Sequence, residues 1–238
     1  MTTFRKLTVR CFCCGMDSSQ HILSSTNRMG SPDLDQRPPE MMRSTMGVWL
    51  QECPSCGYVA NDLQKGDAGD PQRVSSEAYQ GLRAGPHASG LSCRFLLGAE
   101  LARSRNDMDG AFSRTLSAAW IADDLGMLDL ARGLRQQAAG HVLSKAASPD
   151  LRLRLVDVLR RAAAWDDAGR LATEMMAEPL EYLLPKLVRF QLKKIRERND
   201  SCFSVAEALA EPDTTEPDDL VDRVVPITRV LPPRRRDR

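Results

Sequence analysis

Cys11-Phe12-Cys13-Cys14-Gly15 and Cys53-Pro54-Ser55-Cys56-Gly57 are the two segments that decide the fold of the N-terminal part of this chain. Each segment contains two cysteines three positions apart, followed by a glycine. Two tight turns of this kind can supply the four thiolates that Zn²⁺ binds as a tetrahedron, at about 2.3 Å. The glycine fits such a turn because the backbone there needs a positive φ or a close approach. The pattern predicts a zinc site whose ligands are Cys11, Cys14, Cys53 and Cys56.

Disulfides and buried thiols are the alternative interpretations of these cysteines. A disulfide framework belongs to oxidising compartments, and Met1–Lys6 lead into the chain without the apolar stretch of a secretory signal. We therefore expect a cytoplasmic protein, in which thiols at this spacing more often bind a metal. Cys13 could replace Cys11 or Cys14 as a ligand. We favour Cys11 and Cys14 because they reproduce the spacing and the trailing glycine of the second segment.

A site of four cysteines is expected to be structural. A catalytic zinc keeps one position open for water and usually recruits a histidine or a carboxylate, whereas four thiolates close the coordination shell. His21 is the only histidine near the two segments, and we interpret it as a surface or packing residue. Structural zinc contributes an apparent binding energy of roughly 10–16 kcal/mol in comparable peptides.

The composition is that of an ordinary globular chain. Of 238 residues 42% are hydrophobic, and 33 Lys and Arg stand against 32 Asp and Glu, for a net charge of +1. This balance provides no overall field that would attract nucleic acid or an anionic membrane. No stretch approaches the roughly 20 apolar residues that a membrane-spanning helix needs, so we expect no membrane association.

Short strands are predicted to lead into the two cysteine pairs. Residues 4–10 alternate between apolar and polar side chains, the pattern of a half-buried strand. Residues 44–52 carry β-branched and aromatic side chains and predict a second strand, and residues 20–23 are the candidate for a third. Together they predict a small β zinc ribbon over residues 1–60.

Between the cysteine pairs lies a proline loop, residues 30–40, that contains Asp33, Asp35 and Arg37. A long loop on a rigid scaffold is a reasonable place for a binding function. We favour a plainer interpretation, in which these three residues cap turns or pair with one another, because acidic residues and prolines are common in turns.

The composition changes after the ribbon. Residues 61–73 are rich in Gly, Asp and Pro, and we assign residues 61–88 to a linker that holds one short helix, beginning at Ser76–Tyr79 and ending by Gly85. Over residues 89–198 the apolar side chains follow the 3.6-residue period. This period predicts an all-α domain of amphipathic helices with short connections.

Two stretches of this helical region resemble the tetratricopeptide repeat. Residues 155–179 place Trp165 at a turn and Ala168 where two helices would touch, and residues 97–118 fit the same template less well. Their separation is not a multiple of the 34-residue repeat. We therefore predict a tetratricopeptide-like stack of helical hairpins, with the helix Met127–Ala147 between the two copies.

Residues 199–238 are predicted to be a disordered tail. The run Glu211–Asp219 is acidic and interrupted by prolines, and the last residues are rich in arginine. We interpret the terminal arginines as a solubilising end, since no aromatic residue accompanies them.

These features together resemble the bacterial proteins of domain of unknown function 2225. The resemblance spans residues 5 to about 190 and is most specific at Cys53–Ala60, which reads Cys-Pro-x-Cys-Gly-Tyr-x-Ala. The first cysteine segment lacks the proline of the second. The resemblance implies a bacterial cytosolic protein with a zinc-ribbon-like head and tetratricopeptide-like helices, and it implies no known activity.

The function we expect first is a non-enzymatic interaction module, in which a helical groove binds a protein or peptide partner. The alternative is nucleic-acid binding through the ribbon, although its cations are scattered and give no clear footprint. The candidate phosphate contacts are Arg5, Lys6, Arg10, Arg28, Arg37 and Arg43.

We expect no enzyme and assign no catalytic residue. The chain contains only His21, His87 and His141, and it lacks a glycine-rich phosphate loop, a His-Glu-x-x-His motif and a serine elbow. His141 lies on the apolar side of its predicted helix and is interpreted as a core histidine. Cys93 and Cys202 have no evident base partner and are interpreted as buried thiols.

Overall fold

The computed structural model describes residues 1–85, 90–145 and 148–212, and within these ranges the protein is α+β. Strands β1 (Thr3–Arg10) and β2 (Asp17–Ser25) form an antiparallel hairpin. A second and much shorter hairpin consists of β3 (Gln51–Glu52) and β4 (Val59–Ala60). Each hairpin closes around one cysteine pair. The predicted strands at residues 4–10 and 20–23 are confirmed.

The predicted strand over residues 44–52 is wrong except at its end. Helix α1 (Glu40–Arg43) ends just before this region, and turns and a short 3-10 helix (Met46–Val48) take its first seven residues, 44–50. The indole N–H of Trp49 donates to Thr45 Oγ1 at 2.8 Å, and Met46 and Leu50 are both buried. Contacts four residues apart follow the helical period, so tertiary packing overrides the β propensity of these side chains.

The remaining described chain is mainly helical, as predicted. Ser148 caps one helix by accepting the Leu151 amide, with Pro149 as the first helical residue. The helix at Ser76 is also confirmed. The helices are α2 (Asp70–Val74), α3 (Glu77–Ala84), α4 (Leu91–Ser104), α5 (Met108–Asp124), α6 (Leu128–Val142), α7 (Pro149–Arg161), α8 (Trp165–Met176), α9 (Leu184–Arg196) and α10 (Val205–Ala210), with a 3-10 turn at Leu143–Lys145.

Three helix junctions share one turn geometry. Asn106, Gly126 and Ala163 have φ values of 59°, 70° and 57° and connect α4 to α5, α5 to α6 and α7 to α8. In each turn the amide of the following residue donates to a carbonyl in the preceding helix at 2.9 Å. This is the Schellman arrangement, which satisfies the last carbonyls of a helix. These three pairs of helices, α4 with α5, α5 with α6 and α7 with α8, are therefore joined by short, equivalent turns.

The buried apolar residues form one cluster that extends from Val9 in β1 to Ala208 in α10. Leu63 and Asp70, within the segment expected to be a linker, are fully buried. The limits of the units 1–60, 61–88 and 89–198 stay predictions, and apolar contacts run across them.

Residues 199–212 are ordered, although the sequence places them in a disordered tail. Ser204 and Glu207 form a capping box at the start of α10. The ring of Phe203 packs edge-to-face on Phe190, with centroids 5.2 Å apart. These contacts anchor the segment to α9. The acidic run from residue 213 and the terminal arginines lie outside the described residues.

Candidate metal centre

The structure brings together the sulfurs of four cysteines. Their Sγ atoms lie within 4.8 Å of one another, with Cys11 3.7 Å from Cys56 and Cys14 3.6 Å from Cys53. A disulfide would need about 2.05 Å, and no cysteine is in one. A tetrahedron of sulfurs around an ion at about 2.3 Å has edges of about 3.8 Å. The arrangement therefore fits the coordination of a single metal ion.

The first turn (Cys11–Met16) and the second turn (Cys53–Tyr58) hold their sulfurs with the same backbone geometry. Gly15 and Gly57 have φ values of 71° and 76°, which only glycine adopts without strain. In each turn the glycine amide donates to the carbonyl of the first cysteine, at 2.8 and 2.9 Å. The amide of that cysteine donates to the carbonyl of the residue after the glycine, at 2.9 Å in both turns. The repeated Cys-x-x-Cys-Gly spacing encodes this geometry locally.

Helix α3 donates two side-chain hydrogen bonds to the second turn. The hydroxyl of Tyr79, a fully buried residue, donates to the Gly57 carbonyl at 2.7 Å, and Arg83 Nη1 donates to the Cys56 carbonyl at 3.3 Å. A Cβ added to Gly57 would lie 2.4 Å from the Arg83 guanidinium. The helix is thus in close contact with the turn.

Beneath the second turn, Tyr58 connects it to a buried carboxylate. The Tyr58 hydroxyl donates to Asp70 Oδ2 at 3.1 Å, and Arg105 at the end of α4 donates to the same carboxylate, with Nε 2.9 Å from Oδ1. Burial works against the charged form of Asp70, but hydrogen bonds from Arg105 and from the Asp67 amide outweigh it and lower the pKa of Asp70. The carboxylate therefore stays ionised and ties the second turn to α4.

The first turn has fewer partners. The Phe12 amide donates to the Leu63 carbonyl at 2.8 Å, and the Phe12 ring covers Gly66. Cys14 is exposed, and the side chain of Met16 is 51% exposed. This turn therefore depends more on its own cysteines for its position.

The environment of each thiol affects its ionisation. Burial raises the pKa values of Cys11 and Cys56, whereas the Met16 amide lowers the pKa of Cys14 to about 7. Metal binding requires thiolates, and Cys14 ionises more readily than Cys11 or Cys56. Cys13 lies outside the group of four, and burial raises its pKa to about 12.

The proline loop is built into the helical part of the molecule. The fully buried carboxylate of Asp35 accepts the Trp120 indole N–H at 2.7 Å and Arg161 Nη1 at 2.9 Å. It also accepts the Arg37 amide at 3.2 Å, as expected of a turn cap. The loop side chains do not pair with one another, however, since Arg37 pairs with Asp124 on α5.

Sequence reasoning missed the helix residues that receive this loop. Asp123 on α5 pairs with Arg135 on α6 and with Arg161 on α7, and both arginines are buried. On the same helix, just before Arg161, Arg160 is buried against Asp157. Charged residues at positions on the apolar face of a helix were the available signal, because buried charges need partners.

The other residues singled out in the sequence are scattered. His21 is on the surface, His141 is only partly buried, and His87 lies outside the described residues. Cys93 is buried as expected, whereas Cys202 is exposed. Cys202 lies beside a cavity between α6 and the segment after α9. The prediction that Cys202 is a buried thiol is therefore wrong.

The six cations proposed as phosphate contacts do not share one environment. Arg37 and Arg43 form ion pairs with carboxylates. Arg5, Lys6 and Arg10 lie exposed on β1, and Arg28 is exposed in the segment after β2.

Comparisons with family models, with curated proteins and with solved structures find no match for this chain. None of the helices in the described ranges combines the length and the apolar character needed to cross a membrane.

Proposed function

We propose that this chain is a cytoplasmic, non-enzymatic binding module in which one structural Zn²⁺ joins the first and second turns. The observation that carries the proposal is the group of four sulfurs, at spacings close to the edges of a zinc tetrathiolate. Four thiolates leave no position for a reacting water, which favours a structural role. The ion would fix both hairpins against the helices.

The two hairpins and their turns support a zinc-ribbon description of this head, and the equivalent turns of the helices support a tetratricopeptide-like stack. Both descriptions belong to the proposal. So does membership of the bacterial family of domain of unknown function 2225, which rests on the motif at Cys53–Ala60.

The partner proposed for the helical part is a protein or peptide. A cavity of about 360 Å³, the α4–α6 groove, lies between these helices. Its apolar side chains include Leu96 and Leu130, with Glu100 and Arg103 beside them. An apolar groove with charges beside it suits an amphipathic peptide.

Metal analysis tests the zinc proposal. We expect one zinc per chain in the purified protein, loss of that zinc in Cys53→Ser, and retention in Cys13→Ser. A metal content near zero in protein purified under reducing conditions would contradict the proposal.

Co-purification tests the partner proposal. A bound protein should be lost on Leu130→Glu, within the α4–α6 groove, and kept on Leu183→Glu, an exposed leucine outside it. Equal recovery with both variants would exclude the groove as the binding surface.

Nucleic-acid binding by the β1–β2 hairpin is the second candidate function. Arg5, Lys6 and Arg10 are exposed on one strand beside Phe4, whose side chain is 49% exposed. Binding to RNA and DNA should then weaken steeply between two salt concentrations. The absence of any affinity at low salt would eliminate it.

A further inference from the structure

A second cavity, of about 590 Å³, lies between the proline loop and helices α5 and α7. Its volume is within the roughly 300–1,000 Å³ of small-molecule sites. It shares no lining residue with the α4–α6 groove and contains none of the four cysteines. We call it the arginine cleft, after Arg28, Arg114 and Arg154, which line it.

The charge of the arginine cleft departs from that of the chain. Three arginines line the cleft, and no aspartate or glutamate of the described chain does so. The sequence as a whole has 33 basic and 32 acidic residues. The imbalance is therefore local, and it favours an anionic occupant.

Arg154 is the first fixed cation of the arginine cleft. Its Nε donates to the Asp35 carbonyl at 2.8 Å, and its guanidinium carbon lies 4.7 Å from the centroid of the Phe112 ring. These contacts fix the side chain without neutralising it. The Asp35 carboxylate is engaged by Trp120 and Arg161, and within the described ranges no carboxylate forms an ion pair with Arg154. Burial lowers the pKa of Arg154, as expected of a cation that has lost water without gaining a full partner.

Arg114 is the second fixed cation. Its Nη2 donates to Asn61 Oδ1 at 3.3 Å, and its Nη1 is 3.8 Å from the half-exposed carboxylate of Asp107. That distance exceeds a hydrogen bond. Burial also lowers the pKa of Arg114. A bound oxyanion would supply the charge-assisted hydrogen bonds that the guanidinium lacks.

Trp49, which is partly exposed, provides aromatic surface in the same cleft, whereas the rings of Phe95 and Trp120, which also line it, are buried. Trp49 and Phe95 pack edge-to-face, with centroids 6.3 Å apart, and Trp120 is fixed by its bond to Asp35. Rings held in this way can receive a planar apolar group with little loss of side-chain entropy.

The loop that closes the cleft is preformed. Asp33, Asp35 and Arg37 are buried, while Gln36 between them is exposed, lines the cleft and has a φ of 67°. A non-glycine residue in this region carries backbone strain and is more frequent at functional sites.

We propose that the arginine cleft binds a small organic anion, with its phosphate or carboxylate held by Arg114 and Arg154 and its planar apolar body against Trp49. The site goes beyond the proposed peptide-binding function and does not depend on it. Phosphate and carboxylate share the planar hydrogen-bonding match to guanidinium, so the experiment separates these two sources.

The experiment uses 8-anilinonaphthalene-1-sulfonate, an aromatic anion that fluoresces when bound, on the full chain. We expect one tight site in the unmodified protein. Arg154→Gln and Arg114→Gln should each weaken binding by about tenfold to a hundredfold, the loss of one charge-assisted interaction. Arg152→Gln is the matched control, because Arg152 lies on the same helix but pairs with Glu178 outside the cleft. The neutral analogue N-phenyl-1-naphthylamine should bind all four proteins alike.

Competition then identifies the anion. Displacement of the dye by adenosine monophosphate supports a phosphate ligand, and displacement by indole-3-acetate supports a carboxylate ligand. The proposal is overturned if Arg114→Gln, with an unchanged melting temperature, binds the dye as tightly as Arg152→Gln does. It is also overturned if neither competitor displaces the dye at millimolar concentration. Because Arg154 also holds the proline loop, Arg114→Gln decides the matter where Arg154→Gln is unstable.

Discussion

The first and second turns have the same backbone but opposite surroundings. Both place a glycine at a φ near 70° and repeat the same pair of hydrogen bonds. Tyr79 and Arg83 donate hydrogen bonds to carbonyls of the second turn, and Tyr58 of this turn donates to the buried carboxylate of Asp70. The first turn exposes Cys14 and reaches the rest of the chain through the Phe12 amide.

This difference teaches that local geometry and tertiary support are separate contributions to one site. The glycine and cysteine spacing forms the turn, whereas neighbouring helices decide how firmly it is held. We infer that the second turn is preformed and that the first turn closes on the metal. The two turns should therefore respond differently to loss of the metal and to substitution.

Metal removal should have the largest effect and should separate the two turns. Structural zinc supplies roughly 10–16 kcal/mol of apparent binding energy in small peptides. After chelation, we expect the Gly15 amide to lose hydrogen-exchange protection while the Gly57 amide retains part of it, because Gly57 is held by α3. Simultaneous and equal loss at both glycines would contradict the inferred difference, and the Cys13→Ser protein serves as the metal-loaded control.

Asp70→Asn should have the next largest effect. Asp70 is fully buried and pairs with Arg105, and removing one partner of a buried ion pair costs about 3–5 kcal/mol. Asp67→Asn, at a half-exposed carboxylate in the same loop, should cost much less, because solvent screens an exposed ion pair. Urea unfolding of both variants with zinc present gives the comparison. Equal midpoints would show that the carboxylate does not support the second turn.

The same carboxylate predicts a dependence on pH. Because the folded-state pKa of Asp70 is lowered, its contribution is present above the ordinary Asp pKa of about 3.9 and is lost as the pH falls through the lowered value. Above pH 5 the difference in unfolding free energy between the unmodified protein and Asp70→Asn should be constant, and it should shrink in acid. A difference that grows in acid would have the wrong sign.

Alanine at the two glycines should rank the turns directly. The left-handed conformation costs a non-glycine residue about 1–2 kcal/mol, so both Gly15→Ala and Gly57→Ala should be destabilising. Gly57→Ala should cost more, because its Cβ would lie 2.4 Å from Arg83, whereas a Cβ at Gly15 has its nearest neighbour, Arg10, at 3.6 Å. Thermal unfolding of the zinc-loaded variants measures the ranking. The reverse order would show that Arg83 moves aside at no cost.

Tyr79→Phe should have the smallest effect of the series. The substitution removes the hydrogen bond to the Gly57 carbonyl and should lower the unfolding free energy by about 1 kcal/mol. Tyr182→Phe is the control, since Tyr182 is 93% exposed and should change nothing measurable. If Tyr79→Phe equals the control, the buried hydroxyl is not part of the support of the second turn.

The sequence predicted the cysteine group because its determinants are local. The cysteine spacing and the glycine determine the backbone of each turn within five residues. The alternation of residues 4–10 determines the strand before the first turn. The cap at Ser148 is equally local, because its hydroxyl accepts a hydrogen bond from the Leu151 amide three residues away.

The failures share a different cause. The helical path of residues 46–48 depends on where Met46 and Leu50 are buried, and the order of residues 199–212 depends on Phe203 meeting Phe190. Propensity within a short window contains neither fact. The arginine cleft was equally invisible, since its three arginines are far apart in the chain.

The sequence by itself determined the positions of the four thiols, the backbone of the two turns that carry them and the helical character of the region that follows. Only the tertiary structure decided that Asp33, Asp35 and Arg37 of the proline loop are buried, and the Asp35 carboxylate there meets the guanidinium of Arg161, 126 residues away in the chain. The reason is physical. Local hydrogen bonds form between neighbours in the chain, whereas a charge can be buried only where folding delivers its partner.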